Sequence, residues 1–183
     1  MSLSPSEIFY IVIGLISVAL IFYFNRDLFK SGAGAVGTST LEAVYYVIAL
    51  AALLIGWYFN FQYLRQYGAA AGWWHWTTLL FVNPASASGG QDLIIANMIL
   101  YPLWTIIEGR RSRMRAAWLY FPMSLLTSYA LGIALFLAIQ DRQYRRTRAA
   151  TSGSEAVRSP GTRHTTRTRQ RQYNQPRHGT RPT

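Results

Sequence analysis

Four long apolar runs separated by short polar or glycine-rich segments fill the first 140 positions, and then the pattern stops. The first run, Ile8–Phe24, is seventeen residues without a charge. At about 1.5 Å per residue it spans about 26 Å, close to a hydrocarbon core of about 30 Å. Ser4-Pro5-Ser6-Glu7 before it reads as a helix start, with a Ser cap and Pro and Glu in the first turn. A signal peptide is the alternative. No basic residue precedes the run and no clear small-residue cleavage site follows Phe24, so a retained helix is expected. Residues 25–41 are polar and glycine-rich and predict a loop. The second run, Ala43–Leu64, spans with some tilt and has polar breaks only at Asn60 and Gln62.

Residues 69–83 predict an interfacial segment. The apolar stretch there is too short to span, and Trp73, Trp74 and Trp76 suit the headgroup layer. Asn83-Pro84 and Ser86 to Gly90 are expected to break any helix. The third run, Leu93–Ile107, is the shortest and contains Pro102, a kink a membrane helix tolerates when neighbours satisfy the freed carbonyl. The fourth, Ala116–Ile139, is twenty-four residues long and is expected to span. A basic loop, residues 108–115, joins the last two. The fold class expected is therefore all-α: a polytopic transmembrane helix bundle of about four spans. Its parts would be an N-terminal helix and loop (1–41), a three-helix membrane domain (42–140) and a disordered arginine-rich tail (141–183), too poor in apolar residues to offset the entropy of ordering.

A faint repeat runs through the first two helices. Tyr23-Phe24-Asn25 recurs as Tyr58-Phe59-Asn60, and Tyr10, Val12, Ile13 and Leu15 match Tyr45, Val47, Ile48 and Leu50. A chance match between aromatic-rich apolar helices explains it equally well.

Charge sharpens the picture and creates a conflict. The chain carries 18 Lys and Arg against 7 Asp and Glu, and eleven of the basic residues, all Arg, follow residue 140. If the fourth run spans, the 108–115 loop and the tail face opposite sides, and one of them breaks the positive-inside rule. Short loops weigh most, so Arg110, Arg111, Arg113 and Arg115 are expected in the cytoplasm and both termini outside. Arg142, Arg145, Arg146 and Arg148 pull the other way, at about 1 kcal/mol each near an anionic leaflet. There is no Cys, which excludes disulfides, thiol catalysis and cysteine-held metals.

From about residue 45 to 143 the chain resembles a domain-of-unknown-function family of small three-helix membrane proteins from bacteria and cyanobacteria. Phe81, Asn83-Pro84, Ser86, Asp92-Leu93, Glu108-Gly109-Arg110-Arg111, Met114, Trp118 and Leu135-Phe136-Leu137 carry the resemblance. It implies a helical membrane fold with the 108–115 loop in the cytoplasm, and no activity. The N-terminal helix and the basic tail are departures from the family pattern.

Chemistry-bearing positions are few. His75 is the one histidine outside the tail, and between Trp74 and Trp76 it is a candidate contact for a chlorophyll-type pigment; an ordinary interfacial aromatic belt is the plainer reading. The aromatic surfaces along the helices (Tyr45, Tyr46, Trp57, Tyr58, Phe59, Phe61 and Tyr63) suit a carotenoid or chlorin, with lipid and other helices the commoner partners. Asp92 reads as a helix cap and Glu108 as a partner for nearby arginines. Asn97 and Tyr101 share a face of the third run, and Ser124, Thr127, Ser128 and Gly132 lie on the fourth; these read as helix-packing positions, with a buried polar site as the alternative. No Ser/His/Asp set, carboxylate pair or phosphate loop is present, so no enzyme is expected. In the tail, Arg163, Arg167, Arg169 and Arg171 join the four nearer arginines, interleaved with Thr and Gln. That spacing suits an anionic lipid or an acidic protein face and argues against base stacking on nucleic acid.

The function expected is a non-catalytic accessory subunit of a larger complex in a bacterial inner or photosynthetic membrane. It would pack against partner subunits or pigment, with the tail as an electrostatic clamp. A small transporter with Asn97, Tyr101, Ser124 and Thr127 along its path is the alternative, and an enzyme built on His75 a third.

Overall fold

The first helix begins where its sequence says it should. Ser4 caps α1 (Pro5–Phe24): its Oγ accepts from Glu7 N at 3.3 Å, and Glu7 Oε2 accepts from Ser4 N at 2.7 Å. These details come from a computed structural model, which describes residues 4–32 and 35–158, the last six as backbone only. Asn25 ends α1 and ties it to a distant loop, donating from Nδ2 to Ile21 O at 2.9 Å and to Arg115 O at 3.2 Å. Ser39 caps α2 (Thr40–Tyr67), which stops at Gly68 with φ 51°. A short helix, α3 (Trp73–Leu79), fills the expected interfacial segment.

Asn83-Pro84 then starts a helix where a break was expected. Asn83 and Ser86 form a reciprocal cap, and α4 (Pro84–Ile95) runs straight through Ser86 to Gly90. A π turn over Ala96–Leu100 joins α4 to α5 (Tyr101–Arg111). Pro102, which lacks an N–H, falls just past that turn, so the widened turn takes up the irregularity a proline forces on a helix. Together these 28 residues form one membrane-length helix. Asp92 does not cap it; it sits two turns inside, exposed, accepting from Gln91.

The fourth apolar run is not a span. It divides into α6 (Tyr120–Leu126), preceded by a 3-10 turn at Ala117–Leu119, and α7 (Tyr129–Arg158). The two helices lie against each other as a hairpin. Tyr120 stacks edge-on to Phe136 with ring centres 5.2 Å apart, and Gly132 faces Ser124. Both legs begin and end at the same end of the bundle. Ala117 packs on Gly109 at the end of α5, and beside it Gln140 and Tyr144 of α7 donate to Glu108 Oε1 at 3.3 and 2.9 Å. Each leg up to residue 140 is about 15–18 Å long, half the thickness of a bilayer core. Three helices, Pro5–Phe24, Thr40–Ala70 and Pro84–Arg111, are thus long and apolar enough to cross a membrane, and the fourth run folds back on itself against them.

This corrects two expectations. The count is three spans, and the 108–115 loop lies on the same side as α7's exit, so the conflict over charge disappears. A third correction concerns the tail: α7 stays helical through Arg158, well past residue 141. Its first charged turn is locked to α2. Glu42, fully buried, takes Arg142 Nε at 2.6 Å and Tyr46 Oη at 2.9 Å, and also receives Arg145. Arg145 reaches Asp141 at 2.8 Å, and Arg142 lies 4.4 Å above the Phe29 ring. Breaking a buried pair of this kind from one side costs about 3–5 kcal/mol. At the same end Asp27 pairs with Lys30 and with Arg115, both at 2.6 Å. These two cations, Lys30 foremost, hold the Asp27 carboxyl below its usual range, so this anchor is intact at neutral pH and is lost only as the pH falls through that depressed value.

The core belongs to the hairpin. Tyr120, Met123, Phe136, Ala138 and Ile139 are wholly buried, whereas the three spans bury only 22%, 11% and 17% of their most apolar windows. The three long helices form the outer wall, and the hairpin is their contents. Close approach depends on small residues: a Cβ on Gly109 would lie 2.2 Å from Ala117 Cβ. Gly109→Ala is therefore expected to destabilise the protein by about 1–3 kcal/mol through overpacking. Adding Ala117→Gly should recover most of that loss, as read by thermal unfolding in detergent.

Candidate functional site

A hairpin that fills half the bundle leaves the other half open. Below its apex lies a crevice of about 350 Å³, walled by α2, α4 with its π turn, and the hairpin turn, and closed toward the membrane surface by α3. The apex is the two-residue break Thr127–Ser128. It sits level with the middle of α1 and α2, because Gly14 and Gly56 are the residues it touches: a Cβ at Gly14 would meet Thr127 Cγ2 at 3.2 Å and Leu126 O at 3.3 Å, and one at Gly56 would meet Ser128 Cβ at 3.0 Å.

At the apex, hydroxyls replace the missing helix bonds. Thr127 Oγ1 donates to Met123 O at 2.7 Å and Ser124 Oγ to Phe121 O at 2.7 Å. Ser128 Oγ accepts from Leu131 N at 3.1 Å, capping α7. These hydroxyls are already engaged with backbone. Two other polar atoms are not. Trp57 Nε1, a donor, and Asn97 Oδ1, an acceptor, are buried without a partner, and both residues line the crevice. A buried unsatisfied polar group carries a penalty of about 1–3 kcal/mol, so two in the walls of one crevice single out this region. Asn97 also lies on the π turn, an irregularity that concentrates at functional sites.

The crevice has no charged lining: no carboxylate, lysine, arginine or histidine is among its walls. Its surfaces are aromatic, with Trp57 stacked on Phe61 at 6.4 Å and Trp73 and Trp76 entering from α3. The volume is at the small end of ligand pockets, about 300–1,000 Å³.

The positions singled out in the sequence divide accordingly. Asn97, Ser124, Thr127 and Ser128 come together at the crevice. Tyr101 and Gly132 lie beyond it toward the basic end and close it off: Tyr101 is 2% exposed, and a Cβ on Gly132 would be 2.4 Å from its hydroxyl. His75 is not a wall of the crevice. Its Nδ1 lies 2.9 Å from Tyr63 Oη, and its ring stacks on Tyr63 and meets Tyr67 edge-on, so it fastens α3 to the end of α2. Trp74 is 78% exposed and points away, while Trp76 lines the crevice. Of the basic positions, Arg142 is buried in its ion pair with Glu42, Arg111 reaches Glu108 at 3.4 Å, and Arg110, Arg113 and Arg148 are exposed. Arg163, Arg167, Arg169 and Arg171 lie outside the described residues. Gly14 and Gly56 went unnoticed in the sequence as site residues, and Trp57 stood out only as one of a row of aromatic residues. A helix-capping Ser directly after Thr127, in a run already containing Pro122, was the signal that the fourth stretch turns.

The chain is thus a helical bundle with three helices long and apolar enough to cross a membrane, a folded-back hairpin and a neutral crevice beneath it. It belongs to the family described as protein of unknown function DUF2834, whose model matches residues 44–142. No curated protein and no solved structure matches it. The matched stretch holds α2 from residue 44 on, the π-turn helix and the hairpin as far as residue 142; α1, which supplies Gly14, lies outside it.

Because Asn97 Oδ1 is buried unpaired, Asn97→Leu is expected to raise the stability of the ligand-free protein by about 1–2 kcal/mol, the reverse of what a core hydrogen-bonding asparagine would show. Thermal unfolding of delipidated protein in detergent checks this.

Proposed function

We propose that this protein is a non-catalytic accessory subunit of a larger membrane assembly, and that its contribution is to hold a small neutral amphipathic molecule at mid-membrane depth. One observation carries the reading: an uncharged aromatic crevice is lined by Trp57 and Asn97, each of which buries one polar atom without a partner. A ligand with a single ring or a short isoprenoid or acyl portion suits the aromatic lining and the volume, and a carbonyl or hydroxyl on it would give Trp57 or Asn97 the partner each lacks once that side chain turns toward it. A chlorin macrocycle is a poorer match for about 350 Å³, and a carotenoid would enter only by one end ring.

The rival reading, permeation along Asn97, Tyr101, Ser124 and Thr127, is disfavoured because Tyr101, Tyr120 and Met123 are packed solid between the crevice and the basic end. A polar path would need that plug to open.

The same proposal sets the orientation. Arg26, Lys30, the four arginines of residues 110–115 and the four of residues 142–148 share one end, and Arg65, paired with Glu7 at 2.7 Å, stands at the other. The positive-inside rule then puts the basic end in the cytoplasm, Ser4 outside and the crevice opening on the outer half of the membrane.

Purification of the full chain in mild detergent, followed by native electrophoresis and mass spectrometry, tests the reading. The expected result is migration in a complex well above the 20.7 kDa of one chain, with a neutral organic molecule retained. Asn97→Leu should lower retention about five- to tenfold, one hydrogen bond's worth, while the protein stays folded. A lone monomer with nothing bound, or equal retention by the variant, would refute it.

A further inference from the structure

The basic end holds a second cavity, of about 380 Å³, which the crevice reading does not use. It lies where α1 ends, between the turn at Arg26–Phe29, the loop after α5 and the extension of α7. Arg113, Arg115 and Arg146 line it, opposite one carboxylate, Asp27. That carboxylate is already shared between Arg115 and Lys30, and its backbone carbonyl accepts from Arg146. The Arg113 guanidinium makes no hydrogen bond or ion pair among the described residues. The cavity is therefore built with cations in excess.

Arg113 is also in the wrong backbone conformation for its residue type. α5 ends in a Schellman turn, with Met114 N donating to Gly109 O at 2.8 Å and Arg113 N to Arg110 O at 3.1 Å. The residue at Arg113's place in such a turn is left-handed and is usually glycine; here φ is 57° on an arginine. The chain accepts strain at the one position that delivers an unpaired guanidinium into the cavity, and strain of this kind clusters at binding sites. The rest of the lining fits an amphiphile. Phe24 and Leu28 give an apolar rim at the end of a membrane-length helix, and Gln143 and Thr147 offer neutral hydrogen-bonding groups beside the arginines.

We infer that this cavity binds the headgroup of an anionic glycerophospholipid. The phosphodiester would sit among Arg113, Arg115 and Arg146, and an acyl chain would descend from the Phe24 rim along the exposed face of α1. Guanidinium forks match phosphate oxygens in geometry as well as charge, and basic pockets between spans on the cytoplasmic side commonly take such headgroups. The inference stands on the basic end alone and does not depend on what fills the crevice.

The full chain, purified and delipidated in dodecyl maltoside, is titrated with dioleoylphosphatidylglycerol or dioleoylphosphatidylcholine, and bound lipid is counted by native mass spectrometry. The phosphatidylglycerol should bind saturably and at least about fivefold more tightly, the effect of one cation near an anionic headgroup. Arg113→Gly should remove most of that preference while the thermal midpoint holds or rises, because glycine relieves the left-handed strain. Arg146→Gln should weaken it too, and Arg110→Gln, outside the cavity, should leave it intact. Equal binding of the two lipids, an unchanged preference in Arg113→Gly, or an equal loss in Arg110→Gln would overturn the inference. So would displacement of the lipid by excess inorganic phosphate, which would assign the cavity to a free anion.

Discussion

Lipid offers a polypeptide no hydrogen bonds, so a helix can be interrupted inside a membrane only where protein surrounds the interruption. Everything particular to this fold follows from how the break at Thr127–Ser128 meets that demand. Thr127, Ser124 and Ser128 give their hydroxyls to the orphaned backbone groups, and Gly14 and Gly56 let α1 and α2 close over the turn. With the turn enclosed, the chain doubles back through half the membrane and returns to the end it came from. Larger side chains at either glycine would hold the walls apart and expose the break.

Two properties descend from that turn. The first is the crevice: a hairpin of half-membrane length packs Tyr101, Tyr120, Met123 and Phe136 into one half of the bundle and leaves the other to be roofed by α3. The second is polarity of charge. Because both legs emerge at one end, the arginines of the 108–115 loop and those of α7 gather there with Arg26 and Lys30. The Glu42–Arg142 pair and its neighbours then tie α7 to α2 at the membrane boundary. A neutral crevice on one side and a cationic surface on the other are two consequences of one reversal of the chain.

Much of this was legible in the sequence. Long uncharged runs, the Ser4 and Ser39 caps, the indole-rich segment over α3 and the helical membrane class follow from periodicity, capping chemistry and length. The hairpin was not, because twenty-four apolar residues describe a span and a folded-back pair of half-spans equally well by hydropathy. What distinguishes them is which residues stand opposite Thr127 and Ser128, and that is a property of α1 and α2. Asn83-Pro84 was misjudged for a related reason: the same dipeptide that ends a helix also caps and opens one, and Ser86, three residues on, decides between them. Of the site, Asn97, Ser124, Thr127 and Ser128 were visible as polar positions in apolar runs. Trp57 was visible only as one aromatic among several along the helices, and its N–H, buried without a partner, was not.

The reversal itself is open to direct measurement. The chain has no cysteine, so Arg110→Cys, Thr151→Cys and Gln66→Cys each place a single thiol at an exposed position, the first two on either side of the hairpin and the third at the opposite end. Sealed right-side-out and inverted vesicles bearing each variant are treated with a membrane-impermeant maleimide. Labelling of positions 110 and 151 from one common side, with position 66 reached only from the other, is the predicted result. Labelling of 110 and 151 from opposite sides would mean that the fourth run crosses the membrane after all, and the account of the crevice and of the basic end would fall with it.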